Sequence, residues 1–362
     1  NEFSSTNYSN LEHWCKMSLY FQYVTKKDMA TVDLFAIGNA LIDQEFKVSD
    51  DFLIQQHLQK GTMQLTDGET QADLYKKLKE TQNYKGQASG GSAANTTVAF
   101  SALGGSAFYA CRVGNDELGQ TYLNGLHEAG IKNTDKSISE GVTGTCMVLV
   151  SEDSERTMHT YLGITAELTE QQIDFEPLKT AKWLYIEGYL STSDSARLAV
   201  KQAREIAKAH GVKIALTLSD PAMVQYARHG LDEMIADGVD LLFCNQQEAM
   251  MYTETETVEA ALAKLKTLSQ HVVITLSAEG ALISNAQETF NVAGRKVHAI
   301  DANGAGDAFA GAFLYAVNAG LGLHTAAQLA ILISSEVVSQ FGPRLAVTDY
   351  AELFQQLQKE CA

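Results

Sequence analysis

A glycine pair set between two aspartates, DANGAGDAFAGAF at residues 301–313, constrains this chain more than any other feature. The stretch before it, 295–300 (RKVHAI), alternates polar and apolar residues and reads as a strand, with Val297 and Ile300 suited to a pleated surface. The stretch after it reads as a helix. Ala308, Phe309, Ala312, Phe313, Ala316 and Val317 recur at three- and four-residue spacing, and Gly320 stands where such a helix would stop. The glycines therefore mark a strand-to-helix junction. There the first N–H groups of the helix lack partners and carry roughly half a positive charge, which suits an anion. Gly304 and Gly306 keep side chains out of its way.

Asp307 at this junction has two readings. As a cap it would satisfy the helix start. As a reacting group it would take a proton from an attacking hydroxyl, while the backbone of Gly304, Ala305 and Gly306 forms a nest of donors for developing negative charge. An anion hole beside a base is the equipment of phosphoryl transfer.

The chain is long enough, at 362 residues with 45% apolar, to bury the core of one large domain with a minor appendage. A formal charge of −17 argues against a nucleic-acid partner, because phosphate backbones need a basic face. No apolar run approaches the length of a bilayer span. The five cysteines are scattered, odd in number and without a C-x-x-C pair, which points to a reducing cytoplasm and no metal cluster. Residues 1–28 lack periodicity and read as a leader outside the fold, with Met29 as a natural start of the domain at 29–362.

From Val32 onward, strand-like runs (VDLFAIG, AFYACRVG, WLYIEGY, VKIALTL, VDLLFCN, HVVITLS) alternate with helical ones. That rhythm predicts an α/β sandwich around a central, mostly parallel sheet flanked by helices, with ligands outside the carboxyl ends of the strands. Residues 43–66 and 143–165 break the rhythm with period-two alternation, and are expected to form a small antiparallel sheet set apart as a lid. An exposed lid edge would invite pairing with a second copy of the chain.

Three further stretches carry candidate chemistry. ASGGSAANTTVAFSALGG (88–105) joins Gly90 and Gly91 to a helix starting near Ser92, either as a capped, closely packed helix or as a place where a ligand approaches the backbone and Asn95 meets its hydroxyls. Asp43 follows the apolar run 40–42 at the expected end of the first strand, a surface turn or a partner for a vicinal diol. CNQQEAMM (244–251) offers Asn245 and Glu248 on one side of an opening helix, as a capping box or as a holder of hydrated magnesium. VITLSAEGALI (273–283) supplies a strand, a polar turn and Gly280, suited to cradling a nucleotide. Walker, H-E-x-x-H and G-x-S-x-G patterns are absent, and Phe309 stands where a dinucleotide fingerprint needs glycine.

Together GGSAANTTVAFSALGG, NQQE and DANGAGDAFAGAF, in this order, resemble the ribokinase (PfkB) family of carbohydrate and nucleoside kinases over about residues 32–345. GNALID, KGTMQLTD and LTLSDP look most like its adenosine-kinase-type branch. The resemblance implies a Rossmann-like sandwich with a β-sheet lid, and an ATP- and magnesium-dependent kinase acting on the primary hydroxyl of a ribose-type acceptor. Adenosine is the expected acceptor; a free sugar such as ribose or fructose, or a non-catalytic nucleoside-binding role, are the alternatives. By position it makes Asp307 the base with the 304–306 backbone as anion hole, and Arg156 a lid arginine near the transferred phosphate, unless it is a solvated lid charge. Asn245 and Glu248 would organise magnesium, and Thr275, Ser277 and Gly280 would touch ATP. Asn39, Asp43, Gly90, Gly91 and Asn95 would hold the sugar, and Met63, Met158 and Tyr189 would lie near the base or form lid core. Ala302 stands where the family usually has threonine, and Ser277 where glycine is common.

Overall fold

A computed structural model describes residues 31–360 except 82 and 154. The expected leader, 1–28, lies outside the described residues. Among the described residues fifteen strands run in chain order: β1 Leu34–Ile37, β2 Leu41–Lys47, β3 Met63–Leu65, β4 Tyr84–Gly90, β5 Ala107–Ala110, β6 Val113–Gly114, β7 Ile138–Ser139, β8 Thr143–Val150, β9 Arg156–Gly163, β10 Trp183–Glu187, β11 Lys213–Thr217, β12 Val239–Asn245, β13 Ser269–Thr275, β14 Gly280–Ser284 and β15 Thr289–Ala293.

The large sheet has eight strands in the order β15-β14-β13-β12-β11-β10-β1-β5. It is parallel from β13 to β5, and closes on its other side with the antiparallel β13–β14 and β14–β15 pairs. Its middle strands read as unbroken apolar runs because both faces are covered. Phe35 and Ile37 of β1 pack with the helix Asp194–Ala209 on one face. On the other face Phe313 of the helix Ala305–Asn318 meets Phe243 of β12 edge-on, with ring centroids 5.7 Å apart.

The lid is a second sheet, ordered β3-β9-β8-β2-β4. It differs from the expected antiparallel sheet in being mixed. β2 runs parallel to β8 and β3 parallel to β9, while β2–β4 and β8–β9 are antiparallel. Alternation reports only which face is buried, and carries no information on strand direction. The lid also recruits β4, outside both expected segments. Its own core, with Phe46, Leu74, Leu78, Met147 and Leu149, forms beneath the helix Gly68–Glu80. Consequently Asp43 is the third residue of β2 in the lid, and not the end of the first strand.

The expected strand at 295–300 is irregular. Val297 is exposed, and the Ile300 N–H donates to the Val338 carbonyl at the end of the helix Leu323–Val337, so no neighbouring strand takes up its alternation. Among the described residues no helix is long and apolar enough to cross a membrane.

Candidate active site

Two helices begin at the same end of the large sheet. Ser92–Ala102 and Ala305–Asn318 approach so closely that a Cβ on Gly311 would sit 2.3 Å from the Thr96 carbonyl oxygen. One turn earlier on each helix, the same approach sets Asp307 against Ser92 and Asn95. Ser92 Oγ donates to Asp307 Oδ1 at 2.6 Å, and Asn95 Nδ2 to Oδ2 at 2.9 Å. Gly304, in the left-handed region at φ +71°, is the N-cap and carries no side chain to cap with. Asp307 therefore does not serve as the cap. Burial raises its pKa above the ordinary carboxylate value, against the bonds from Ser92 and Asn95 and the charges of Arg156 and Arg344.

The loop before this helix is pinned from outside. Asp301, fully buried, accepts the Asn303 N–H at 2.8 Å and the Gly342 N–H at 3.0 Å. A Cβ on Gly304 would lie 2.3 Å from the Pro343 carbonyl oxygen, so only glycine fits under that segment. The Ala305 N–H is turned back to the Ala302 carbonyl at 3.3 Å, whereas the space over Gly306 is open for at least 4 Å around a built Cβ. The two aspartates of the motif thus divide the work: Asp301 staples the loop and Asp307 faces the site.

Lid residues close the other side. Arg156, at the start of β9, donates from Nη1 to Asn303 Oδ1 at 3.1 Å, which brings it to the loop of the base. Asp43 is buried, and that burial pushes its pKa up to about 7, with Arg344 opposing and the charges of Glu45 and Asp307 adding to the rise. Gly91 needs its positive φ of 93°, and a Cβ there would come within 2.4 Å of the Asn39 carbonyl oxygen. Asn39 is part of the framework: its N–H donates to Glu187 at 2.7 Å, and its carbonyl accepts from Tyr109 Oη at 2.9 Å.

The nucleotide-side candidates lie at the carboxyl ends of the large sheet, as expected for a parallel sheet. Asn245 ends β12 directly beside Thr275 ending β13. Ser277, at φ +53°, and Gly280, at φ +102°, shape the β13–β14 turn, and Gly280 packs 2.0 Å from Val292 O where a Cβ would stand. Asn245 and Glu248 form a reciprocal capping box, with Glu248 Oε1 bound to Asn245 Nδ2 at 2.6 Å and Oε2 to its N–H at 3.0 Å. Burial pushes Glu248 up to about 7, and it feels the charges of Arg156 and Asp307, so it borders the same space.

The hydrophobic candidates separate. Met158 packs against the lid's Cys146, Val148 and Val150, and Met147 belongs to the core under the lid helix. Tyr189 sits in the 3-10 turn Gly188–Thr192, its Oη 3.4 Å from Asp220 Oδ2. Met63 lines a cavity of about 700 Å³ between the edge strand β3 and the segments carrying Ser191, Thr192, Ala222, Met223 and Tyr226; Asp307 does not line it.

Residues outside every motif complete the site. Glu187, fully buried and pushed up to about 7 by burial, receives the N–H groups of Asn39 and Ala93, and so fixes the start of the helix Ser92–Ala102. Its only signal in sequence is a carboxylate ending an apolar strand. Arg344 donates from Nε to Asn95 Oδ1 at 2.8 Å, across 249 positions of chain, a separation at which local pattern says nothing.

The chain is similar to known kinases along most of its length. The family model described as pfkB family carbohydrate kinase matches residues 62–349. A ribokinase from Haemophilus influenzae is 30% identical over 65% of this chain and 76% of that protein. An adenosine kinase from Saccharomyces cerevisiae is 24% identical over 86% of this chain and 96% of that one. Among solved structures, the adenosine kinase from Sinorhizobium meliloti superposes with a TM-score of 0.85 at 34% identity, over 90% of this chain and 99% of its own. The probable sugar kinase from Rhizobium etli CFN 42 also gives 0.85, at 32% identity over 92% and 100%. A base-like aspartate at a glycine-rich helix start, an α/β body with a large, mostly parallel sheet and a smaller mixed one, and these likenesses converge: the chain belongs to the pfkB family of carbohydrate kinases, and is a kinase acting on a hydroxyl group.

Proposed function

We propose that this kinase transfers the γ-phosphate of ATP to the primary hydroxyl of a ribose-type acceptor, with adenosine as that acceptor. The observation that carries the reaction is the Asp307 carboxylate, oriented by Ser92 and Asn95 beside the open backbone at Gly306. Asp307 takes the proton of the acceptor hydroxyl as its oxygen attacks the γ-phosphorus, the bond to the β-phosphate oxygen breaks, and ADP leaves. Its raised pKa makes it a stronger base than an ordinary aspartate. Free N–H groups at the helix start and Arg156 receive the charge carried by the transferring phosphoryl group. Asp43 holds the ribose hydroxyls, and Thr275, Ser277 and Gly280 border the nucleotide.

Among the described residues no group of three or more acidic, histidine or cysteine side chains converges as a metal cage. Glu248 fits a hydrated magnesium, held through water, better than a direct ligand role, because both its oxygens already accept from Asn245. Magnesium, held so and by the nucleotide's own phosphates, would neutralise charge on them.

Adenosine is favoured over a free sugar by the likeness to adenosine kinases over 86% of the chain or more, and by the partly apolar cavity at the lid edge. The ribokinase and sugar-kinase likenesses support the free-sugar reading as the second one. A coupled ADP-release assay with adenosine, run against ATP alone, tests the proposal. Acceptor-dependent ADP release is expected, and its absence with every nucleoside and sugar would leave only a binding role.

A further inference from the structure

Arg344 lies in the irregular 338–346 segment, where no motif draws attention to it. The segment is fixed to the base's own loop by the Gly342 N–H on Asp301 and by the Pro343 carbonyl over Gly304. Gln340 Nε2 donates to the Arg344 carbonyl at 2.8 Å and holds the residue in place. From there Arg344 Nε reaches Asn95 Oδ1 at 2.8 Å, and Asn95 Nδ2 reaches Asp307 Oδ2 at 2.9 Å.

A guanidinium has donors only, so Asn95 can meet it only with its carbonyl oxygen. That choice turns the amide NH₂ toward Asp307. The flipped amide would set NH₂ against the guanidinium and an oxygen against a carboxylate, two repulsive contacts in place of two bonds. Helix position alone does not choose between the two amide orientations. We propose that Arg344 is a positioning residue for the base: through Asn95 it fixes the donor that orients Asp307 and keeps it ionised. The inference rests on Asp307 being the base.

The electrostatic surroundings agree with this role. Arg156 from β9 and Arg344 stabilise the Asp307 anion. Asp43 from β2, Glu187 from β10 and Glu248 from the helix Gln246–Thr253 oppose it, while the phenols of Tyr185, Tyr189 and Tyr350 face it in the neutral form, their own ionisation pushed up by burial and by the Asp307 charge. Asp43, Tyr109, Tyr122 and Tyr350 surround Arg344 in turn. Removing Arg344 therefore removes one of the two cations that favour an ionised base.

The test is kcat against pH at saturating ATP and acceptor, which isolates the complex from any effect of Arg344 on Asp43 in the free enzyme. Arg344→Met is expected to lower kcat roughly ten- to a hundred-fold and to move the acid limb upward by about one pH unit. Arg344→Lys, which keeps the charge, should recover part of both. In an Asn95→Ala background the Arg344→Met change should add little to the loss of plateau kcat, because that loss passes through Asn95, while the direct effect of the Arg344 charge on the acid limb should remain. Asn95→Leu, close to asparagine in size, removes the donor to Asp307 without adding a charge, so it should reproduce the kcat loss of Arg344→Met, and it carries the test if Arg344→Met does not fold. Additive losses of plateau kcat, an unmoved acid limb in Arg344→Met, or wild-type kcat in Asn95→Leu would overturn the proposal. Asp307→Asn run alongside separates the two readings: near wild-type turnover there overturns the base itself, whereas a slow Asp307→Asn with an unaffected Arg344→Met overturns only the positioning role.

Discussion

Gly90 and Asp43 occupy one volume: a Cβ built on Gly90 would lie 2.1 Å from the Asp43 carboxyl carbon. The two stand on adjacent antiparallel strands, Leu41 facing Gly90 and Asp43 facing Ala88, so the carboxylate leans into the room that glycine leaves. Gly90→Ala is expected to displace it and weaken acceptor binding by about 1–3 kcal/mol, the cost of a buried polar partner lost. ATP affinity should be unchanged. Titration calorimetry with acceptor and with nucleotide checks both, and full acceptor affinity in Gly90→Ala would take Asp43 out of the site. Because burial pushes the Asp43 pKa up to about 7, acceptor affinity should also rise with pH through about that value.

Asp307→Asn keeps the size and loses the basicity of the group between Ser92 and Asn95. Turnover should fall roughly 10²- to 10⁴-fold, the usual contribution of a positioned base, with fold and ATP affinity retained. Single-turnover phosphoryl transfer together with nucleotide binding measures the split. A mutant near the wild-type rate would make Asp307 a structural residue.

Glu45 predicts a pH effect on stability. It is buried in β2, Oε1 finds no partner, and burial, with Asp301 nearby, pushes its pKa from 4.5 up to about 7 while Asn303 opposes. The folded pKa exceeds the unfolded one, so folding takes up a proton. Its stabilising share is full below the unfolded pKa and is lost as pH rises through about 7. Glu45→Gln cannot ionise, and should match wild type near about pH 4 while gaining on the order of 1–3 kcal/mol near about pH 8. Thermal melts at both values decide. An equal offset at the two pH values would show that Glu45 does not titrate in this range.

What sequence made legible was local. The left-handed Gly304, the helix from Ala305, its stop at Gly320 and the apolar strands of a doubly covered sheet all follow from residue type and short spacing. RKVHAI shows the limit of that logic, since alternation makes a strand only where an edge is available to pair with. Arg344 and Glu187 show another. Each acts across 94 positions or more, Glu187 on Ala93 and Arg344 on Asn95, and tertiary packing decides their partners. Asp301, the most buried acid of the motif, was legible as special but not as the staple for Gly342, which lies 41 residues on.

The lid edge carries the test of the acceptor. Leu65 and Tyr226 are 50% and 78% exposed on a cavity of about 700 Å³ that Met63 and Met223 also line, apolar surface that a purine face could cover. The cavity abuts the turn carrying Tyr189, whose phenol feels the charges of Arg156 and Asp307, so a base placed there could leave its ribose toward the site. Covering such surface, at about 25 cal/mol per Å², would favour a nucleoside over a free sugar by several kcal/mol before ordering costs. Adenosine should therefore exceed ribose and fructose in kcat/KM, and Met63→Asp should cost adenosine about tenfold or more while leaving ribose near its own value. A coupled ADP assay over adenosine, inosine, guanosine, ribose and fructose at matched concentrations measures this. A free sugar outperforming every nucleoside would remove adenosine as the acceptor and leave the chemistry at Asp307 standing. An equal loss for both acceptors in Met63→Asp would instead place the cavity outside the acceptor's path.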